Sequence, residues 1–155
     1  MQERREFLSR AVSLLGVSLC SGAVAGLLTS CETETMKSTG AVSTVSVATE
    51  PSLQVVGGAI KKTFAGNNGG RPVIIVRTAE ESFVVFSSVC THAGCEISTP
   101  RSTDESFMIC DLPGCGHGSV FSTTDGSVMA GPASAPLRSF SNSYNPTDKI
   151  LTVHF

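Results

Sequence analysis

Cys90-Thr91-His92-Ala93-Gly94-Cys95 and Cys110-Asp111-Leu112-Pro113-Gly114-Cys115-Gly116-His117-Gly118-Ser119 are the two stretches that decide how this chain is read. Each follows a short apolar run and enters a glycine-containing loop. Loops of this kind, set on rigid strands, let donor atoms from distant parts of a chain converge. Thiolates are soft ligands suited to iron–sulfur chemistry, and imidazoles suit iron equally well. Two of each would serve one metal ion or a binuclear cluster.

Working outward, the flanking runs read as β-strands. Arg71-Pro-Val-Ile-Ile-Val-Arg77 and Phe83-Val-Val-Phe-Ser-Ser-Val89 are β-branched and aromatic, and the short polar turn Thr78 to Ser82 makes them a hairpin. Ser106 to Cys110 and Ser119 to Ser122 are further short strands, the second closed by the turn signal Thr124-Asp125-Gly126. Leu137 to Tyr144 and Ile150 to Phe155 flank Asn145-Pro146-Thr147-Asp148 as another hairpin. No stretch after residue 51 keeps a helical period, and no internal repeat is visible. The expected fold class is all-β, with short antiparallel strands in stacked sheets and a two-loop subdomain for the site.

Composition agrees with that reading. The chain has 155 residues, no Trp, 15 Gly and 7 Pro, a mix that favours turns over a helical bundle. The formal net charge is −2 and no basic run occurs, which excludes nucleic acid as a partner.

Residues 1–30 read as an export signal. Arg4-Arg5-Glu6-Phe7-Leu8 resembles the twin-arginine motif, a weakly apolar stretch from Ala11 to Leu28 follows, and Leu28-Thr29-Ser30-Cys31 resembles a lipobox with Cys31 as the lipid-attachment residue. The competing reading is an uncleaved membrane helix, which 18 residues just suffice to form; Gly16, Gly22 and Gly26 weaken it. Both readings place the protein on the periplasmic side of a bacterial membrane, anchored to it. Cys20 falls inside the signal. The twin-arginine route carries folded proteins, so a cofactor made in the cytoplasm can be inserted before export. Residues 31–50 are rich in Ser, Thr and Glu and read as a flexible tether, with its valines able to form at most a marginal strand. The domain is expected over 51–155.

The first box matches the Cys-Thr-His-x-Gly-Cys motif of the Rieske [2Fe–2S] family at every fixed position, and the chain resembles that family over roughly residues 55–155. The second box departs from the family's Cys-Pro-Cys-His-Gly-Ser: extra residues separate its cysteines, and Gly116 precedes its histidine. Ser119-Val-Phe-Ser and Gly131-Pro132-Ala133 resemble the strand and the proline loop that follow in the family. The resemblance implies one [2Fe–2S] cluster on Cys90, His92, His117 and one cysteine of the second box. Cys110 is the favoured ligand because it ends a strand. Cys115 is the alternative because it would mirror the Cys-x-His spacing of the first box. With Cys110 as ligand, the resemblance implies a Cys95–Cys115 disulfide, which would persist in an exported protein. It also implies that Ser119 donates a hydrogen bond to a cluster sulfide.

The implied function is one-electron transfer with redox protein partners, as a component of a quinol-oxidising cytochrome bc-type complex. Alternatives are the small subunit of a periplasmic molybdenum oxidase, a Rieske ferredoxin serving an oxygenase, and a structural Cys₂His₂ zinc module. Only three histidines are present, which rules out a further 2-His-1-carboxylate oxygenase centre beside the cluster. His154, in the last strand, is expected to face solvent; Met108 and Met129 are expected to pack.

Overall fold

The computed structural model describes residues 40–155. The export signal, Cys20, Cys31 and the first part of the tether lie outside the described residues. Nine β-strands follow one another: β1 (Val42–Ser46), β2 (Ala59–Lys62), β3 (Val73–Ala79), β4 (Ser82–Ser87), β5 (Phe107–Ile109), β6 (Val120–Ser122), β7 (Val128–Ala130), β8 (Ser139–Asn145) and β9 (Ile150–His154). Only three short 3₁₀ turns interrupt them, and no α-helix occurs among the described residues. The larger sheet has the order β1-β9-β8-β4-β3-β2 and the smaller the order β5-β6-β7; every pairing is antiparallel.

The strand β3 explains how the two layers are joined. Val73, Ile74, Ile75 and Val76 are all buried, because the strand is covered on both faces. Successive side chains point to opposite faces. Val73 and Ile75 therefore enter a core with Val45, Val47, Leu53, Phe83, Val85, Phe140, Leu151, Val153 and Phe155. Ile74 and Val76 enter a second core with Phe86, Ile97, Met108, Phe121, Ala133 and Leu137. Cys90, Cys95 and Cys110 belong to that second core. The continuous apolar run of β3 thus records double coverage, where alternation would record one wet face.

Two expectations are corrected. The domain does not begin at residue 51: β1 pairs with β9 from Val42↔His154 to Ser46↔Ile150, and Val45 and Val47 are buried. The tether reading therefore fails for residues 42–47. Met129 does not pack; it is 55% exposed on β7, whereas Met108 is fully buried. His154 is exposed, as expected.

Replacing Ile74 or Ile75 by Ala, one from each core, should cost about 2–5 kcal/mol in either case, whereas His154→Ala should stay within about 0.5 kcal/mol. Denaturant unfolding followed by circular dichroism checks this; a loss at either isoleucine as small as that of His154→Ala would contradict the double-coverage account of β3.

Candidate metal centre

Both boxes are loops pinched at their bases by main-chain bonds. After β4, Ile97 N donates to Ser88 O (2.8 Å) and Cys90 N to Cys95 O (2.7 Å), with Val89 and Glu96 forming an isolated antiparallel bridge. Gly94 N donates back to Cys90 O (2.8 Å) with Gly94 at φ +72°. That left-handed conformation suits glycine at little cost. After β5, Cys110 N donates to Ser119 O (2.9 Å) and Gly118 N to Cys110 O (3.1 Å). Ser98 N donates to Ile109 O (2.9 Å) and so sets the bases of the two loops side by side.

Two further ties act between the loops. Cys95 and Cys115 form a disulfide with Cα atoms 5.8 Å apart, inside the usual range. The third loop, Gly131 to Pro136, caps the pair: Thr91 Oγ1 donates to Ala135 O (2.6 Å) and Ala133 N to Ser119 Oγ (3.2 Å). A Cβ on Gly131 (φ +90°) would lie 2.6 Å from Gly118 O and Ser119 Cα, so only glycine permits this approach.

The donor atoms sort by depth. Cys90 and Cys110 are free thiols, 1% and 0% exposed, and they are near enough for Cys90 to act on the Cys110 thiol. Burial, and then the neighbouring Cys90, push the Cys110 thiol above its ordinary value. The Cys110 thiol also donates to Cys115 O (3.5 Å). His92 and His117, by contrast, are exposed, and their rings meet edge to face with centroids 4.8 Å apart. The structure sets the His92 and His117 rings side by side and buries Cys90 and Cys110 in one core; the four donor atoms do not form a single group within 4.8 Å.

One grouping needs sorting out. The donor atoms of Cys95, Cys115 and His117 lie within 4.8 Å of one another, and His117 Nδ1 is 3.7 Å from Cys95 Sγ. Sulfurs engaged in a disulfide are not thiolates, and the thiolate is the metal-binding form. Among the described residues the free thiols are Cys90 and Cys110. Two buried thiols and two exposed imidazoles are the donor types that fit a binuclear iron–sulfur group.

Sequence reasoning missed the tie between Ser98 and the second loop. Ser98 Oγ donates to Asp111 Oδ1 (2.7 Å), and Arg101 forms an ion pair with Asp111 Oδ2. The Ser98 bond holds the Asp111 carboxyl below its ordinary range against the opposing effect of burial, and the Arg101 charge adds a lesser lowering. Asp111 stands in the inserted spacer of the second box, and nothing in the sequence pairs it with a residue 13 positions earlier.

The disulfide has a direct check. Trypsin cuts after Arg77, Arg101 and Arg138, so once the free thiols are alkylated in denaturant a non-reducing digest should yield peptides 78–101 and 102–138 as one cross-linked species, alkylated at Cys90 and Cys110, that separates on reduction. Two separate peptides under oxidising conditions would contradict the pairing.

A family model described as the Rieske [2Fe-2S] domain matches residues 31–141, well over half of the chain. No curated protein matches the chain. Among solved structures, one chain of the complex of reduced oxygenase and oxidized ferredoxin in carbazole 1,9a-dioxygenase aligns with TM-score 0.54 at 19% identity, over 74% of this chain and 94% of that one. The ferredoxin of carbazole 1,9a-dioxygenase from Nocardioides aromaticivorans IC177 aligns with TM-score 0.46 at 21% identity, over 61% of this chain and 83% of that one. Two cysteine–histidine loops on the strand ends of an all-β domain, together with the family match, show that the chain belongs to the Rieske [2Fe–2S] domain family, an electron carrier built to hold a [2Fe–2S] cluster.

Proposed function

We propose that Cys90 and Cys110 hold the cluster through their thiolates and that His92 and His117 hold it through their imidazoles. The observation that carries this assignment is the sorting by depth: two neighbouring buried thiols and two neighbouring exposed rings. A bound [2Fe–2S] group supplies reversible one-electron chemistry, with one iron on two thiolates and the other on two imidazoles. The chain's own residues do the rest. The apolar second core keeps water from the thiol end, and the exposed imidazole edges give a redox partner a short approach.

Ser119 and Phe121 bear on the potential. Ser119 is fully buried, and its oxygen accepts from Ala133 N, which leaves the hydroxyl proton to donate into the site. In high-potential members of the family a Tyr stands two residues after this Ser and donates to a cysteine sulfur; here Phe121, fully buried, has no hydroxyl. Hydrogen bonds to the sulfurs favour the reduced form and raise the potential. The missing bond is worth about 1 kcal/mol of difference between oxidation states, or roughly 40 mV for one electron. This supports a carrier working below the range of ubiquinol-oxidising relatives.

Such a potential suits a ferredoxin that feeds an oxygenase. A second reading, a tethered component of a quinol-oxidising bc-type complex drawing on a lower-potential donor such as menaquinol, is favoured by Arg4-Arg5 and Cys31 together with the Cys95–Cys115 disulfide. It would place the protein outside the cytoplasm on a lipid anchor. Among the described residues no helix is long and apolar enough to cross a membrane. Under either reading electrons leave through the histidine end to a protein partner.

Two experiments test these assignments. Cys90→Ser, His92→Ala, Cys110→Ser or His117→Ala should each abolish the cluster's visible and electron paramagnetic resonance signals, while Cys115→Ser should keep a weaker cluster of lower potential. A Cys110→Ser protein that keeps a Rieske spectrum while Cys115→Ser loses all iron would exchange the two roles. Phe121→Tyr should raise the potential by roughly 40 mV and Ser119→Ala should lower it. An unchanged potential in a Phe121→Tyr protein whose new hydroxyl reaches the ligand sulfur would overturn the tuning argument.

A further inference from the structure

The second box carries four residues, Asp111 to Gly114, between its cysteines. Each ordered spacer residue costs conformational entropy on folding, and a loose spacer would let the segment from Cys110 to His117 wander. Three contacts oppose that. Cys115 N closes a turn on Leu112 O (3.1 Å), the disulfide fixes the far end at Cys115, and Asp111 fixes the near end.

The Asp111 contact is the one made by a side chain of the spacer itself. Its carboxylate accepts from Ser98 Oγ at 2.7 Å, and Ser98 is already tied by its backbone N–H to Ile109 O. Main-chain and side-chain bonds from one residue therefore brace the two sides of Cys110. The Arg101 partner is 68% exposed on its side chain, whereas Asp111 is 29% exposed. A solvent-exposed ion pair contributes little; a hydrogen bond from a hydroxyl to a partly buried acceptor contributes more. The Ser98 bond is the stronger of the two holds on Asp111.

We propose that Asp111 is a positioning residue for the metal centre: bonded by Ser98, its carboxylate fixes the Asp111–Gly114 spacer and so sets the direction in which Cys110 and His117 present their donor atoms. This rests on the ligand assignment above. The geometry requires an acceptor at the Asp111 side-chain oxygen, not a negative charge, because the Ser98 hydroxyl is the donor. Asp111→Asn can supply that acceptor; Asp111→Ala cannot.

The test compares the wild-type holoprotein with Asp111→Ala, Asp111→Asn, Ser98→Ala and Arg101→Ala. One readout is the rate at which tris(2-carboxyethyl)phosphine reduces the Cys95–Cys115 bond, followed by mass spectrometry, which reports mobility of the spacer whether or not a cluster is present. The other is the paramagnetic resonance line shape and the reduction potential. Asp111→Ala and Ser98→Ala should speed disulfide reduction about tenfold, broaden the resonance and shift the potential. Asp111→Asn and Arg101→Ala should remain within about twofold of wild type in rate, with a wild-type line shape. Wild-type behaviour of Asp111→Ala in both readouts would overturn the proposal. So would an Asp111→Asn protein as loose as Asp111→Ala, since charge rather than the bond would then be responsible. If Asp111→Ala does not fold, Ser98→Ala against Asp111→Asn decides the same question. A protein that binds no cluster would refute the ligand assignment, yet the disulfide rates would still decide the bracing role of Asp111.

Discussion

A four-ligand centre built from two loops requires that the loops be held together before the ligands meet, and in this chain that constraint is met at the loop bases. Bonds between Cys90 and Cys95, between Cys110 and Ser119, and between Ser98 and Ile109 place the two loops against each other. The Cys95–Cys115 disulfide links the two loops covalently. A cross-link of this kind limits the unfolded ensemble and stabilises the folded arrangement. The third loop adds the Thr91–Ala135 and Ala133–Ser119 contacts from the opposite side. Without this frame the buried thiols would lie apart, and the fold would offer two cysteine–histidine pairs with no common site.

Depth then assigns chemistry. The thiols sit among Ile97, Met108, Phe121 and Leu137 in the second core, where low polarity favours the neutral thiol and raises Cys110. On the proposed assignment, metal binding releases protons from these thiols, which couples cofactor insertion to pH. The imidazoles occupy the wet end. A centre held as proposed would have a shielded thiolate side and an accessible imidazole side, the arrangement an electron carrier needs to exchange with a partner without exposing its sulfurs.

Much of this was legible in the sequence. The β3–β4 hairpin and the strands flanking the boxes were readable from runs of β-branched and aromatic residues, and the first box was specific enough to name the family. The rest was hidden for physical reasons. The strand β1 is only Val-Ser-Thr-Val-Ser, too weakly apolar to announce itself; it forms because β9 offers an edge and Val45 finds a core. The four-residue strand β2 and three-residue β7 are too short to show a period, and Met129 on β7 faces out where its chemistry suggested packing. The Ser98–Asp111 brace joins two polar loop residues that no local pattern relates. A chain departing from its family's spacing gives no precedent for what holds the extra residues.

The central claim is that two imidazoles and two buried thiolates share one cluster. Selective ¹⁵N labelling of histidine in the reduced holoprotein, read by pulsed electron paramagnetic resonance, tests it most directly. The account predicts strong couplings from two histidine nitrogens on one [2Fe–2S] spectrum, with one coupling lost in any His92 or His117 variant that still retains a cluster. A cluster with no directly coupled histidine nitrogen, or stoichiometric zinc and no paramagnetic signal, would contradict it.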